Sequence, residues 1–383
     1  MSTPIRVCHV ITGLELGGAE RMLSRLCAAF PLERVQSTVV ALRSGGPVAA
    51  ELRASRIPVT ELDFGSLRTT NPIRLVKAVR ATRANVVHGW MYHGNIAATI
   101  AGAALRTPCL WNIRQTVYDL ADEKTLTRQM IRASAVLSSS PRAIVYNSRL
   151  SARQHERLGF NARRARLLPN GFDVAAYTPR PEAHGSLCEE LGLPDNALLL
   201  GLFARAHPMK DHAMFCRAAS LLVERFPSLY CVIGGAGTRS AELAEVVTKA
   251  GLNGRVVLLG ARDDMPRLTA AVDIACSASA WGEGFPNVLA EAMACEVPCV
   301  FTDIGDACDV VGEAGIVVQS GDAEAFASAC ARLLDAPNER RRLGRIGRER
   351  VLQHYSLSSV VLAYTRLYEA VVSSPDLSLA VAT

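Results

Sequence analysis

Gly201-Leu-Phe-Ala-Arg205-Ala-His-Pro-Met-Lys210-Asp211 closes an apolar run that begins at residue 197. That run, AlaLeuLeuLeuGlyLeuPheAla, carries no polar side chain and is too short for a typical helix, so it reads as a strand buried on both faces. It delivers Arg205 at its carboxyl end, and Lys210 follows in the loop. Asp211 is a good N-cap for the helix that opens there. Strand, cationic loop and helix in that order are the opening of a βαβ unit.

The same signal recurs in both directions. Downstream, apolar or β-branched runs lie at 229–234, 256–260, 273–277, 298–302 and 315–318, with helical segments between them. Upstream they lie at 5–11, 36–42, 59–62, 85–90, 109–112 and 143–147, separated by helix-period segments such as 19–30, 72–83 and 124–137. Strand–helix alternation predicts parallel sheets with helices on both faces. The pattern restarts after Asn170-Gly171, and Pro169, Pro179, Pro181 and Gly185 place a linker near 171–185. The expected organisation is therefore a first α/β domain over 1–175 and a second over 186–355. Two such domains in series leave a cleft at their strand ends, where open α/β sheets bind ligands. Residues 322–372 read as consecutive helices, and a final helix over 356–375 is placed to cross back to the first domain.

Composition agrees. The chain has 383 residues, 49% hydrophobic and only 5% aromatic, which suits two helix-covered sheets. The opening residues run straight into a strand, so no secretory leader is expected, and no apolar run approaches the roughly 18 residues of a spanning helix. The eleven cysteines lack a C-x-x-C pattern, and Cys276, Cys295 and Cys299 read as small buried hydrophobes. Residues 1–173 hold 24 Lys/Arg against 11 Asp/Glu, a balance of +13, and the remainder stands at −7. A basic half beside an acidic half suggests an anionic partner for the first domain. Nucleic acid is disfavoured, because the basic residues lack the aromatic interleaving of a base-stacking platform. An anionic membrane surface fits better, with segment 124–137 and its Arg128 and Arg132 as the candidate contact.

Trp281-Gly-Glu283-Gly-Phe-Pro-Asn287-Val-Leu-Ala-Glu291 carries the second set of chemical groups. Pro286 suits the first turn of a helix over 287–295, so the amides of Gly284, Phe285 and Asn287 face outward as an anion site. Glu283 before the helix and Glu291 inside it address two parts of one elongated ligand. Arg205 and Lys210 suit a diphosphate, the first by a fork of donors and the second by a point charge. Gly234-Gly235-Ala-Gly237 lacks the dinucleotide spacing and reads as a tight turn beside the nucleotide. In Val87-His88-Gly-Trp-Met-Tyr-His93-Gly-Asn95 two histidines share a strand end, and His93 is preferred as a site residue because Gly94-Asn95 would open the next helix. Arg114, in Trp111-Asn112-Ile-Arg114-Gln115, either meets an anionic acceptor or pairs with Asp119 or Glu123.

Arg205 and Lys210, Glu283-x7-Glu291, Pro169-Asn170-Gly171-Phe-Asp173, Val297-Pro298 with Thr302-Asp303-Ile-Gly305, and the opening His9-Val-Ile-Thr-Gly13-Leu-Glu-Leu-Gly17-Gly18-Ala-Glu20 occur in one order. Together they resemble the family-4 retaining glycosyltransferases of GT-B fold, over nearly the whole chain. The resemblance implies two Rossmann-like domains facing each other across a cleft, with a C-terminal helical tail. It also implies sugar transfer from a nucleotide sugar, UDP-linked before GDP-linked, to a hydroxyl of a glycan or lipid-linked acceptor in cell-surface polysaccharide or lipopolysaccharide assembly. Arg205 and Lys210 would hold the diphosphate, Glu291 the ribose hydroxyls, and Glu283 the donor sugar, with Gly284, Phe285 and Asn287 nearby. Gly17-Gly18 would approach the phosphate or acceptor closely, and a histidine near His93 would meet the donor sugar. No cofactor and no metal are expected: the sequence has no Asp-x-Asp and no histidine ligand spacing. A cytoplasmic enzyme, peripheral at the inner membrane face, follows from that setting. Two departures are visible, Asp211 where Gly often follows the lysine and Phe172 where an aliphatic residue is common. The rivals are a sugar-nucleotide epimerase of the same fold and a non-catalytic nucleotide-sugar-binding subunit. A phosphorylase is disfavoured, since the second half offers only Lys210 and Lys249 as a cofactor-binding lysine.

Overall fold

The computed structural model describes residues 3–65 and 71–373. The chain forms two compact units, one made of residues up to Gly171 together with those from Leu357 onward, the other of Phe172–Ser356.

The first unit carries seven parallel strands: β1 (Ile5–Ile11), β2 (Val35–Ala41), β3 (Val59–Glu61), β4 (Val86–Trp90), β5 (Cys109–Ile113), β6 (Ala143–Tyr146) and β7 (Ala165–Leu167). They lie in the order β3-β2-β1-β4-β5-β6-β7. The central strands β4, β5 and β6 are buried at every residue, as helices on both faces require. The helix Met91–Leu105 packs so closely that a Cβ on Gly94 would lie 2.4 Å from the Val10 carbonyl oxygen. Only glycine fits there.

The second unit carries six parallel strands: β8 (Leu198–Phe203), β9 (Leu229–Gly234), β10 (Val256–Gly260), β11 (Ile274–Ser277), β12 (Cys299–Thr302) and β13 (Gly315–Val318). Their order is β10-β9-β8-β11-β12-β13. In each sheet the chain builds outward to one side, then returns to the centre and builds to the other. That leaves a topological switch point between β1 and β4 in the first unit and between β8 and β11 in the second. In open α/β sheets, ligands sit in the crevice at the carboxyl ends of the strands flanking such a point.

The expected linker is placed differently. Phe172 is fully buried and stacks on Phe285 at 5.9 Å, so the second unit begins there rather than after a free stretch to 185. This aromatic pair also accounts for the large residue at 172. The chain leaves and returns at adjacent points: the Phe172 amide donates to the Tyr355 carbonyl at 2.8 Å, and a Cβ on Gly171 would meet Leu357 at 3.1 Å. The helix Leu357–Ser373 then buries Val360, Val361, Tyr364, Leu367, Tyr368 and Val371, at three- and four-residue spacing, in the core of the first unit. Residues 374 and 375 of the expected closing helix lie outside the described residues. All eleven cysteines are free, ten of them buried, with Cys308 exposed.

Candidate functional site

In the second unit the site grows from the two strands that flank the switch point. After β8 the chain exposes Arg205, makes a 3-10 turn over Pro208–Lys210, and enters the helix His212–Ser220. Asp211 takes φ 40°, and its carboxylate accepts from the Met214 amide at 2.9 Å. The acidic cap explains why aspartate serves where glycine is common. After β11 the chain passes through Ser279 and Glu283 into the helix Asn287–Ala294, whose N-cap is Pro286. The helix thus starts one residue later than a first-turn proline implies.

These two loops converge. The Lys210 ammonium pairs with the Glu283 carboxylate, and both side chains are largely buried. The Ser279 hydroxyl donates to the same Glu283 oxygen at 2.8 Å. Backbone contacts fix the approach: the Ala280 amide donates to the Met209 carbonyl at 2.8 Å, and the Thr302 hydroxyl donates to the Ser279 carbonyl at 2.7 Å. The loop after β12 completes the frame. The Asp306 amide donates to the Gly284 carbonyl at 3.0 Å, and Gly305, at φ +71°, lies where a Cβ would be 2.4 Å from the Glu283 carbonyl oxygen. The glycine turn after β9 presses on the other side: a Cβ on Gly235 would lie 2.3 Å from the Ala204 carbonyl oxygen, and the Ala206 amide donates to Ala236 at 2.8 Å. Arg205 is therefore held by its backbone, and its guanidinium lies 3.8 Å from the Met209 sulfur.

The remaining predicted residues fall on the Glu283 segment. Asn287 is exposed at the start of its helix and Glu291 is half-buried within it. The expected contribution of Phe285 is its backbone amide. Its ring is buried between Phe172 and Tyr355, with centroids at 5.9 and 5.5 Å, so only its backbone is available to a ligand. Ser279 went unnoticed in the sequence, and Gly305 entered only as part of the Thr302-Asp303-Ile-Gly305 marker, because a serine in a loop and a glycine at a turn are the commonest of residues there.

The first unit repeats the logic at its own switch point. Gly17 caps and Gly18 opens the helix Gly18–Ala29 after β1, with no side-chain cap. A Cβ on Gly18 would meet nothing, whereas one on Gly17 would strike the Glu20 carboxylate, which folds back over it. Burial raises the Glu20 carboxyl above its ordinary pKa, and nearby Glu15 adds to that. After β4, Met91 takes φ +60° and the helix begins at once, so His93 lies in its first turn. Gly94-Asn95 therefore does not open the helix. His93 is half-buried, and burial, then the Arg43 cation, lower its pKa. His88 is inside the core, its Nδ1 2.9 Å from the Tyr368 hydroxyl, and burial holds its pKa well below the usual value. Of the two, His93 is the one open to a ligand at the strand end.

Arg114 pairs with neither Asp119 nor Glu123. It donates to the Tyr364 hydroxyl at 3.4 Å and the Pro169 carbonyl at 3.5 Å, and lies over the Trp90 ring at 5.6 Å. Glu123 instead accepts from Gln115 at 2.6 Å. Arg114 thus braces the outgoing chain and the returning helix. Among the described residues, no three His, Cys, Asp or Glu side chains converge on a metal-sized site, and no helix is long and apolar enough to cross a membrane.

Comparison with known proteins gives the geometry a family. Residues 16–176 match the model for Glycosyltransferase Family 4, and residues 197–336 match that for Glycosyl transferases group 1. A putative glycosyltransferase, EpsF, of Bacillus subtilis is 28% identical, across 79% of this chain and 80% of its own. The Escherichia coli UDP-Gal:alpha-D-GlcNAc-diphosphoundecaprenol alpha-1,3-galactosyltransferase is 26% identical, across 86% and 88%. The crystal structure of Anabaena HepE, solved with UDP, superposes with a TM-score of 0.84 at 20% identity, covering 96% of this chain and all of that one. It shares the GT-B fold. The chain belongs to the group 1, family 4 glycosyltransferases.

Proposed function

We propose that the protein is a retaining, metal-independent transferase that takes a sugar from a UDP-sugar and joins it to a hydroxyl of a glycan or lipid-linked acceptor. The observation that carries this reading is the convergence of Arg205 and Lys210 after β8 with Ser279 and Glu283 after β11, on the two sides of one switch point. Breaking the bond between the sugar and its diphosphate leaves negative charge on the phosphate oxygens. A guanidinium, an ammonium and the outward amides of a helix start answer that charge without a cation from solution. Glu283, anchored by Lys210 and Ser279, orients the donor sugar. Glu291, eight residues on, takes the ribose, and Gly17, Gly18 and His93 serve the phosphate, acceptor and sugar at the other switch point. The E. coli relative is named for a UDP-sugar and a diphosphoundecaprenol acceptor, and HepE was solved with UDP, which favours UDP over GDP.

A pure nucleotide-sugar binder has less need of buried charge at the leaving group. An epimerase would lack the Glu283-x7-Glu291 pair as it stands here. An anionic membrane surface fits the first unit, where the helix Thr125–Leu137 exposes Leu126, Arg132 and Val136 along one side. Cosedimentation with phosphatidylglycerol but not phosphatidylcholine vesicles is expected, and equal binding to both would sink the electrostatic contact.

Calorimetry tests the donor site. UDP binds the wild-type protein, and Arg205→Ala or Lys210→Ala weakens it by about tenfold to a hundredfold, as loss of a charge-assisted hydrogen bond implies. Affinities unchanged in both variants would remove the diphosphate from this site.

A further inference from the structure

The first unit has a second concavity, at the opposite ends of its strands. It lies at the amino-terminal ends of β1, β4 and β5, has a volume of about 640 Å³, and is lined by Arg6, Arg80, Arg83, Asn85, Arg106 and Thr107 among others. No aspartate or glutamate lines it. Among the described residues, none of the four arginines is in an ion pair. Local bonds set its rim: the Arg6 amide donates to the Asn85 side chain at 2.9 Å, and the Arg6 guanidinium donates to the Arg83 carbonyl at 2.6 Å. A neighbouring cavity of about 500 Å³ shares Arg106 and Thr107 and adds Arg142.

Helix ends explain only part of this charge. The helices Pro72–Ala81 and Met91–Leu105 both finish here, and each carboxyl terminus presents about half a negative charge. Together they offset about one of the four positive charges. The rest stand around one concavity with no carboxylate, an arrangement that repels itself unless a counter-ion enters. The guanidinium fork matches phosphate oxygens in pairs. The volume is that of a site for a discrete small molecule.

We propose that this groove binds a small soluble phosphate-bearing anion, such as a diphosphate, at a site distinct from the switch-point residues. Its shape favours a discrete ligand over a bilayer. The arginines line a hollow, and its larger apolar wall residues, Val79 and Leu105, are buried and half-buried rather than projecting. The proposal does not depend on the assigned transferase activity.

Inorganic pyrophosphate is the probe, titrated by calorimetry into the full chain carrying Arg205→Ala and Lys210→Ala, so that the other diphosphate site is silent. Binding is expected there. Adding Arg80→Gln and Arg106→Asn should weaken it at least tenfold, with thermal unfolding unchanged. Asparagine is used at 106 because that residue has φ +52°. Arg6→Gln, tested alone, should weaken binding in the same direction. Unchanged affinity in both groove variants would overturn the proposal. So would a protein that ignores pyrophosphate but loses binding to phosphatidylglycerol vesicles in the Arg80→Gln, Arg106→Asn variant, since that outcome assigns the groove to a bilayer.

Discussion

Glu283 shows how far single residues could be read. The sequence singles it out through Glu283-x7-Glu291, but its setting was not legible. The Lys210 partner is 73 residues away, and Ser279 looked like an ordinary loop residue. Ser279→Ala removes one donor from a buried carboxylate that keeps its lysine. Turnover is expected to fall several-fold to about tenfold with UDP affinity little changed, read from the separate effects on kcat and on nucleotide binding. Gly305→Ala forces a Cβ against the Glu283 carbonyl at a positive φ. We expect a loss of about 1–3 kcal/mol in denaturant unfolding, with a larger proportional loss of activity. A variant as stable and active as the parent would show that this loop does not frame Glu283. Phe285 shows the same limit. Its amide could be placed at the helix start from the sequence, whereas the burial of its ring could not, because a motif states which residues recur and not which way they point.

At the scale of elements, most strands and helices were legible to within one or two residues. Buried parallel strands are continuous apolar runs, and few other signals mimic them. Several elements escaped, among them the helix Ala183–Leu191, which starts inside the expected linker. β7 is three residues long with an arginine at its centre, too short and too polar for the pattern. The helix after β4 begins directly at Met91 because that residue turns the chain in the left-handed region, a conformation that methionine does not advertise. The cap of the helix His212–Ser220 was legible, and it makes a quantitative expectation. Asp211→Ala loses both the side-chain cap and a residue tolerant of positive φ, and should cost about 1–2 kcal/mol in thermal or denaturant unfolding. Asp211→Asn, which keeps both properties, should cost far less. Equal effects from the two would mean that the cap contributes nothing.

On the scale of the whole molecule, the order of the two sheets was legible from the restart of the pattern at 171, whereas the boundary was not. Phe172 to 185 look like linker in sequence because prolines punctuate them, and it is the burial of Phe172, Tyr177 and Ala183 in the second core that assigns them to the second unit. The units should also differ in their response to acid. In the first, His9 is held down to about pKa 3 and His155 to about 4, both chiefly by burial, and His88 is held well below its usual value. Their bonds suit neutral rings: His9 Nδ1 accepts from Trp90 at 3.1 Å, and His155 Nδ1 donates to the Ser151 carbonyl at 2.7 Å. The unfolded chain takes up these protons below about pH 6.5 while the folded chain does not. Their contribution is therefore complete at neutral pH and declines as pH falls below 6.5, by up to about 1.4 kcal/mol per pH unit for each ring. In the second unit His212 is likewise lowered by burial, but it is one ring against three; His184 is raised by its bond to Asp273, so its contribution runs the other way, present below pH 6.5 and lost as pH rises through its folded value. Acid unfolding followed by hydrogen exchange should open the first unit before the second between pH 6 and 4, to order of magnitude in rate. The reverse order would contradict the burial of those rings.

In the proposed reaction Arg205, Lys210 and Glu283 run a metal-independent sugar transfer. It is tested most directly by following UDP or GDP release from a panel of nucleotide sugars, in EDTA, with and without a simple sugar or lipid-linked acceptor. The account predicts acceptor-dependent release of UDP from one donor, abolished by Lys210→Ala and Glu283→Ala. Turnover that EDTA abolishes, or turnover unchanged in both variants, would contradict it.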